Sequence, residues 1–135
     1  MQCPITEEEK QRLIATAKKS LVNAYAPYSQ FRVGAAILTE QGNVFAGCNV
    51  ENVSYGLSMC AERNAIATAI AAEGSHKFKL RAIAIVNDRD LPCSPCGACR
   101  QVIWEFGRDA VAIFKGSSGW QSAKAAELLP WGFSF

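Results

Sequence analysis

The cysteines of two short motifs constrain this chain more than any other residues. Cys60 opens the run Cys60-Ala61-Glu62, and two more cysteines lie within Pro95-Cys96-Gly97-Ala98-Cys99. Cys96 and Cys99 are three positions apart, so on a helix they share a face and can bind one ion together. Cys60 must come from the start of another helix. A fold that uses all of these thiols has to bring two helix N-termini together.

Cys60, Cys96 and Cys99 form a ligand set for zinc. A catalytic zinc typically keeps three protein ligands and leaves its fourth position to water, whose pKa the metal lowers toward neutrality. Helix N-termini suit thiolates because the positive end of each helix dipole offsets part of their charge. Either Arg63 or Arg100 can donate to a ligand sulfur, and we favour Arg63. The motifs predict one zinc per chain.

Glu62, two positions after the first thiol, indicates hydrolysis of an amino group. Replacing a ring amino group by oxygen requires water to lose a proton, a ring nitrogen to gain one, and the departing ammonia to receive another. A single carboxylate beside the metal can serve all three transfers, and burial would tune its pKa toward the working pH. We therefore predict that Glu62 is catalytic and stays off the metal. This combination of ligands and glutamate is typical of zinc-dependent nucleobase deaminases.

Two other interpretations of the cysteines stay open. A structural zinc knot would close the coordination sphere with a fourth ligand, for which the candidates are Cys48, Cys93 and His76. A dithiol redox centre would use the spacing of Cys96 and Cys99, which Cys93 and Cys96 repeat. The redox interpretation leaves Cys60 and Glu62 without a purpose.

The hydrophobic pattern predicts a helix, a hairpin, and then strands alternating with helices. Thr6 and Glu9 form a capping-box pattern that starts a helix running to about Val22. The predicted strands are Phe31 to Leu38, Val44 to Cys48, Arg81 to Val86 and Val111 to Phe114. The later predicted helices are Met59 to Ala72 with Ser58 as N-cap, Cys96 to Phe106, and a short one from a Ser122 cap to Pro130. This order predicts a three-layer α/β/α sandwich with a mixed sheet of about five strands, in one domain spanning residues 1–135.

Composition restricts the partners and the compartment. The formal net charge is +2 and the basic residues are scattered, which argues against a nucleic-acid surface. No apolar stretch approaches the roughly 18 residues of a membrane span, and the N-terminus lacks the pattern of a signal peptide. We expect a soluble, cytoplasmic protein with no membrane partner. In that compartment Cys3, Cys48 and Cys93 are expected to be buried or incidental thiols.

Beyond the zinc motifs, the chain resembles the small homotetrameric cytidine deaminases from about Lys18 to Phe133. The matching blocks are Phe31-Arg32-Val33-Gly34-Ala35-Ala36, Gly47-Cys48-Asn49-Val50-Glu51-Asn52, Cys60-Ala61-Glu62-Arg63, Pro95-Cys96-Gly97-Ala98-Cys99-Arg100-Gln101 and Glu127-Leu128-Leu129-Pro130. The resemblance implies a cytidine deaminase-like fold and hydrolytic deamination of cytidine and deoxycytidine to uridine and deoxyuridine with release of ammonia, a step of pyrimidine salvage. It also implies one Zn²⁺ in each subunit of a homotetramer.

The resemblance assigns roles residue by residue. It implies that Cys60, Cys96 and Cys99 bind the zinc and that Glu62 moves protons. Asn49 and Glu51 would hold the sugar 3′-hydroxyl, which agrees with their chemistry because a carboxylate accepts from a hydroxyl and an amide can donate to it. The other implied substrate contacts are Phe31 beside the pyrimidine, the backbone of Ala61 at the base edge, and Tyr28, Tyr55 and either Phe133 or Phe135 from across subunit boundaries.

Other functions remain as alternatives. Deaminases that act on blasticidin S share the zinc motifs but lack the full Asn-Val-Glu-Asn block, so Glu51 favours a nucleoside substrate. Editing of cytosine within RNA or DNA would need a basic channel and room for a flipped base. The alternative of a different class is a zinc-stabilised binding module without enzyme activity. It predicts four protein ligands on the metal.

Overall fold

Hydrogen bonds join five strands into one sheet, and four α-helices surround it, in a computed structural model that describes residues 5–135. Cys3 lies outside the described residues. In chain order the elements are α1 (Glu7–Leu21), β1 (Val33–Thr39), β2 (Val44–Cys48), a 3₁₀ turn (Tyr55–Leu57), α2 (Ala61–Glu73), β3 (Leu80–Asn87), α3 (Gly97–Phe106), β4 (Val111–Gly116), β5 (Gly119–Lys124) and α4 (Ala125–Leu128).

The strands lie in the order β2-β1-β3-β4-β5 and form a mixed sheet. β1 is antiparallel to both β2 and β3, β3 is parallel to β4, and β5 returns antiparallel to β4. Parallel neighbours need a crossover connection, which α3 provides between β3 and β4. The predicted hairpin and the predicted buried central strand are confirmed, since β3 lies between two neighbours and is buried along most of its length.

Side chains of β1 alternate between two hydrophobic cores, one on each face of the sheet. Ala35 and Ile37 pack with α2 and α3, whereas Ala36 and Leu38 pack with α1. This alternation follows from the period of two along a strand and leaves both faces covered. The predicted three-layer sandwich is confirmed. Among residues 5–135, no helix combines the length and the apolar character that a membrane crossing requires.

Helix α1 has the predicted cap. The Thr6 hydroxyl accepts from the backbone N–H of Glu9 at 3.0 Å, and the Glu9 carboxylate accepts from the backbone N–H of Thr6 at 2.9 Å. The same carboxylate pairs with Arg81 at 2.9 Å, which ties the start of α1 to β3. The capping box therefore both starts the helix and attaches it to the sheet.

Three predicted boundaries were wrong. Ser58 is not the cap of α2, because Cys60 occupies the N-cap position and Ser58 ends the preceding 3₁₀ turn. Phe31 precedes β1, which begins at Val33. Ser122 lies inside β5 opposite Ile113, and α4 begins only at Ala125. The pairing of β5 with β4 therefore overrides the capping preference of Ser122.

The ends of several strands lie next to one another along one side of the sheet. Val33, at the start of β1, is paired with Asn87 at the end of β3, and Gly34 is paired with Cys48 at the end of β2. Helices α2 and α3 both begin beyond this edge. The carboxyl ends of β2 and β3 and the N-termini of two helices are thus brought to one place, which is where open α/β sheets bind ligands.

Gly47 sets the distance between β2 and the first turn of α2. A Cβ at this position would lie 2.4 Å from the Ala65 nitrogen and 2.7 Å from the Ala61 oxygen, closer than van der Waals contact. Both obstacles are backbone atoms, so the helix itself would have to move. Only glycine fits at this contact.

We expect Gly47→Ala to destabilise the protein by about 3 kcal/mol, since overpacking against backbone forces a shift of α2. Gly56→Ala is the matched control, because a Cβ there has no neighbour within 4 Å. Its effect should stay within about 0.5 kcal/mol. Urea denaturation of both variants tests this, and equal stability of the two would contradict the close packing of α2 on β2.

Candidate active site

Two helix N-termini bring the thiols of the sequence motifs together. Cys60 is the N-cap of α2 and Cys96 is the N-cap of α3, while Cys99 lies in the first turn of α3. Neither N-cap thiol is hydrogen-bonded to its own helix as a cap. The sulfur atoms of these residues all lie within 4.8 Å of one another. The thiols therefore face one point between the helices.

Arg63 supplies positive charge to this cluster. Its Nη2 atom lies 3.5 Å from the Cys60 sulfur and donates to it. The neighbouring Nε atom is buried and has no hydrogen-bond partner among the described residues. Arg100, the other candidate, instead donates to the carbonyl oxygens of Pro95 and Leu128, at 2.7 and 3.2 Å, and to the Ser94 hydroxyl. Arg100 therefore holds the backbone next to the second thiol motif in place and does not bind a ligand sulfur through these contacts.

The thiols and the nearby carboxylate have shifted pKa values. The pKa of Cys60 falls to about 5, because the Cys99 thiol donates to its sulfur and Arg63 adds a second donor and a positive charge. The pKa of Cys99 is raised, since its proton is held in that hydrogen bond and the thiol is buried. The pKa of Glu62 is raised, mainly by burial and further by the negative charge of Cys60. The shifts of Cys60 and Cys99 are opposite because Cys99 holds the proton that the Cys60 sulfur accepts.

A pocket of about 230 Å³ opens beside the thiols. Glu62 and Ala61, both buried at the start of α2, form one wall. Asn49 and Glu51, which follow β2, form another. The remaining lining residues are Val33, Ser58, Met59, Cys60, Cys93, Ser94 and Cys96. The structure thus places the two thiol motifs, Glu62 and the Asn49–Glu51 pair around a common space.

Backbone pairing holds the segment that carries Asn49 and Glu51. The N–H of Glu51 donates to the Tyr25 oxygen at 2.8 Å, and the backbones of Val50 and Met59 exchange two hydrogen bonds. The segment is therefore fixed on both sides, between the end of α1 and the approach to α2. Its side chains reach the pocket from a rigid support.

The side chains of Asn49 and Glu51 are already hydrogen-bonded within the chain. The Asn49 amide accepts from the Val33 N–H at 2.8 Å and donates to the Phe31 oxygen at 2.9 Å. The Glu51 carboxylate accepts from the N–H groups of Tyr28 and Ser29, at 2.9 and 3.1 Å, and from the Ser29 hydroxyl. Both side chains hold the loop before β1 in place.

Of the aromatic residues implied by the resemblance, the two tyrosines lie beside this pocket, whereas the phenylalanines do not line it. Tyr28 and Tyr55 stack edge to face, with ring centroids 6.1 Å apart, beside an adjoining cavity that Glu51 also lines. Phe31 does not line the main pocket, and the Arg89 guanidinium lies 5.6 Å from the centre of its ring. Phe133 and Phe135 pack against each other and do not line the pocket.

The family comparison agrees with this geometry. A family model described as the cytidine and deoxycytidylate deaminase zinc-binding region matches residues 7–115. The chain belongs to this zinc-binding deaminase family.

Individual relatives cover nearly the whole chain. It is 45% identical to a cytidine deaminase of Sporosarcina psychrophila over 92% of this chain and 90% of that protein. It is 43% identical to a cytidine deaminase of Halalkalibacterium halodurans over 93% and 95% of the two chains. The crystal structure of a cytidine deaminase from Burkholderia pseudomallei superposes with a TM-score of 0.83 at 45% identity, covering 96% of this chain and 100% of that chain.

Membership of this deaminase family makes zinc the cofactor, and the thiol cluster fits that ion. Zinc–sulfur bonds of about 2.3 Å in tetrahedral geometry place two ligand sulfurs about 3.8 Å apart. Sulfur atoms within 4.8 Å of one another can reach this spacing by small side-chain rotations. Among residues 5–135, neither Cys48, Cys93 nor His76 belongs to the cluster. The described ligand set therefore leaves one position open, as in catalytic zinc sites.

Cys93 lines the main pocket and Ser29 lines the adjoining cavity. The sequence analysis did not name Ser29, and it gave Cys93 no role in substrate binding. Ser29 donates to Glu51 and lines the adjoining cavity with it. Its local sequence signal is the turn-forming run before Phe31. Cys93 lines the pocket, and burial raises the pKa of its thiol. Its backbone N–H donates to Lys115 of β4, so its position depends on a contact between distant segments.

We expect Arg63→Gln to weaken zinc binding about tenfold, because the variant removes the positive charge and the donor beside Cys60. Competition with a chromophoric chelator measures the affinity directly. Arg108→Gln is the matched control, since its guanidinium lies over the Trp104 ring, 4.2 Å from the ring centre, at the other end of α3. Equal zinc affinity of the two variants would refute the role of Arg63.

Proposed function

We propose that this protein catalyses the zinc-dependent hydrolytic deamination of cytidine and deoxycytidine, with release of ammonia. The observation that carries the proposal is the buried Glu62, which lines one pocket together with Asn49, Glu51 and thiols of a cluster that fits zinc. Metal chemistry and nucleoside recognition can meet only at such a junction. The names of the relatives support the same reaction.

Cys60, Cys96 and Cys99 would hold the zinc. Bound there, the ion supplies Lewis acidity and lowers the pKa of water toward neutrality. The two helix N-termini and Arg63 offset part of the negative charge of the ligands. Arg63 does so by direct contact, since it donates to the Cys60 sulfur.

Glu62 would carry the protons between water and the substrate. Its carboxylate takes a proton from the attacking water and delivers it to the ring nitrogen next to the amino-bearing carbon. A second proton then passes through the same carboxyl to the departing ammonia. Burial supports this role because it raises the pKa of Glu62 and brings its protonated form closer to working pH. Ala61 lines the pocket beside Glu62, and its backbone would contact the edge of the base.

Asn49 and Glu51 would bind the sugar 3′-hydroxyl. The structure uses one donor and one acceptor of the Asn49 amide, so a second N–H remains for the substrate oxygen. A carboxylate has about four acceptor positions, and the described contacts of Glu51 occupy three of them. A hydroxyl can donate to Glu51 and accept from Asn49 at once. A sugar in a nucleic-acid chain lacks this hydroxyl proton, which favours a free nucleoside over a polymer.

The homotetramer is part of the same proposal. A volume of about 230 Å³ is below the roughly 300–1,000 Å³ of typical ligand pockets, so one chain encloses a nucleoside incompletely. Large apolar side chains near the pocket are exposed, with Tyr55 at 76% and Leu57 at 67%. Exposed patches of this kind mark protein interfaces. Tyr28, Tyr55 and Phe133 would complete neighbouring sites, and Phe31 would pack beside the pyrimidine.

A cytosine-containing antibiotic such as blasticidin S is the alternative substrate. It would use the same thiols and Glu62, because these groups act on the ring alone. Glu51 favours the nucleoside, since its carboxylate points to a hydroxyl donor in the substrate. A substrate panel that includes both compounds separates the two possibilities.

We expect Glu62→Gln to lower the rate of cytidine deamination at least about 100-fold while leaving bound zinc unchanged, because only proton transfer is lost. Loss of cytosine absorbance gives the rate, and metal analysis gives the zinc content. Glu105→Gln, an exposed glutamate on α3, should keep the wild-type rate.

The same assay tests the substrate class. Wild-type protein should convert cytidine and deoxycytidine, and should leave free cytosine and blasticidin S nearly unchanged. Stoichiometric zinc with no turnover of either nucleoside would overturn the proposal. It would favour the alternative of a zinc-stabilised binding module without enzyme activity.

A further inference from the structure

We propose that Ser29 is a positioning residue that fixes the Glu51 carboxylate for the substrate 3′-hydroxyl. This inference rests on the proposed function and adds a residue that the thiol and glutamate motifs do not include. The Ser29 hydroxyl donates to Glu51 Oε2, while the N–H groups of Tyr28 and Ser29 donate to Oε1. Ser29 is therefore the side chain that holds the oxygen of Glu51 with acceptor capacity to spare.

The hydrogen bonds of the Glu51 carboxylate show which of its two oxygens can accept a further donor. Oε1 of Glu51 already accepts two backbone donors, and Oε2 accepts only the Ser29 hydroxyl among the described contacts. A carboxylate oxygen has two acceptor positions, so the remaining one belongs to Oε2. Removing the Ser29 hydroxyl would let the carboxylate rotate about the Oε1 contacts. The free acceptor would then no longer point in one direction.

Ser29 also links Glu51 to Asn49 within the pocket wall that these two residues form. Its oxygen accepts from the Phe31 N–H at 3.0 Å, while the Phe31 carbonyl accepts from the Asn49 side chain. The Ser29 hydroxyl thus connects Glu51 to Phe31, whose carbonyl oxygen is hydrogen-bonded to Asn49. The distance between the two groups proposed to bind the 3′-hydroxyl depends on this chain of hydrogen bonds.

The loop that carries Ser29 is held in a defined conformation. The Gln30 N–H donates to the Ala26 oxygen at 3.0 Å, and Gln30 itself has a φ of +57°. A non-glycine residue with positive φ persists only where the surrounding contacts determine it. The contacts of Glu51 with Tyr28 and Ser29 are such contacts. The hydroxyl also lowers the pKa of Glu51, which keeps that carboxyl ionised and able only to accept.

The experiment compares cytidine with 3′-deoxycytidine, which lacks the group that Glu51 would bind. We expect Ser29→Ala to raise KM for cytidine about tenfold with kcat changed less than about threefold, because one charge-assisted hydrogen bond is lost. For 3′-deoxycytidine the same variant should change kcat/KM by no more than about twofold. Ser29→Thr keeps the hydroxyl and should restore most of the cytidine KM.

Thr6→Ala is the control for a general loss of stability. Its hydroxyl also accepts from a backbone N–H, but it caps α1, away from the residues that line the pocket. It should lower the melting temperature without changing the ratio of kcat/KM between the two nucleosides. Thermal melting of all variants is measured alongside the kinetics.

The outcomes separate this inference from the proposed function. If wild-type protein deaminates both nucleosides and Ser29→Ala impairs them equally, Ser29 is a structural loop residue and the inference fails alone. Failure of Ser29→Thr to recover the cytidine KM would also overturn it. If zinc-loaded wild-type protein deaminates neither nucleoside, the proposed function fails and the inference fails with it. A selective loss for cytidine that threonine restores supports both.

Discussion

The meeting of two helix N-termini at one edge of the sheet is the constraint on which the site depends. Cys60 and Cys96 occupy the N-cap positions of α2 and α3, so the sulfur positions follow from where these helices start. The position of α2 depends in turn on its packing against β2, where Gly47 permits backbone contact. A site with three thiols on two helices therefore needs the complete sheet and cannot form from a local segment.

Electrostatics explains why such a site tolerates concentrated negative charge. Thiolates at helix N-termini interact favourably with the helix dipoles, and Arg63 adds a full positive charge at 3.5 Å from Cys60. Glu62 is buried beside them, and its pKa is shifted in the opposite direction. Burial and negative neighbours raise this pKa and favour the protonated carboxyl. The same small volume thus stabilises an ionised Cys60 sulfur and a carboxyl that can hold a proton. This separation of protonation states is what acid–base chemistry beside a metal requires.

Much of the fold was predictable from local sequence because most elements have strong local signals. The capping box of Thr6 and Glu9, the apolar run of β3 and the hairpin turn each depend on neighbouring residues. Ser122 was misassigned because β5 has little apolar alternation and exists through pairing with β4. The thiol cluster followed from motif spacing, whereas the contacts of Ser29 did not. That hydroxyl meets Glu51 only after the chain folds, and no periodic pattern marks such a contact.

The residues proposed to bind the sugar are also the residues that hold the loop before β1. Asn49 bonds the backbone on both sides of Arg32, and Glu51 bonds the backbone and side chain of Ser29. Each uses only part of its hydrogen-bonding capacity in doing so. In the proposed binding mode, a substrate hydroxyl would require no rearrangement, because the structural bonds have already fixed the direction of the remaining donor and acceptor. Preorganisation of this kind lowers the entropic cost of binding, and it makes the sugar pocket inseparable from the stability of the loop.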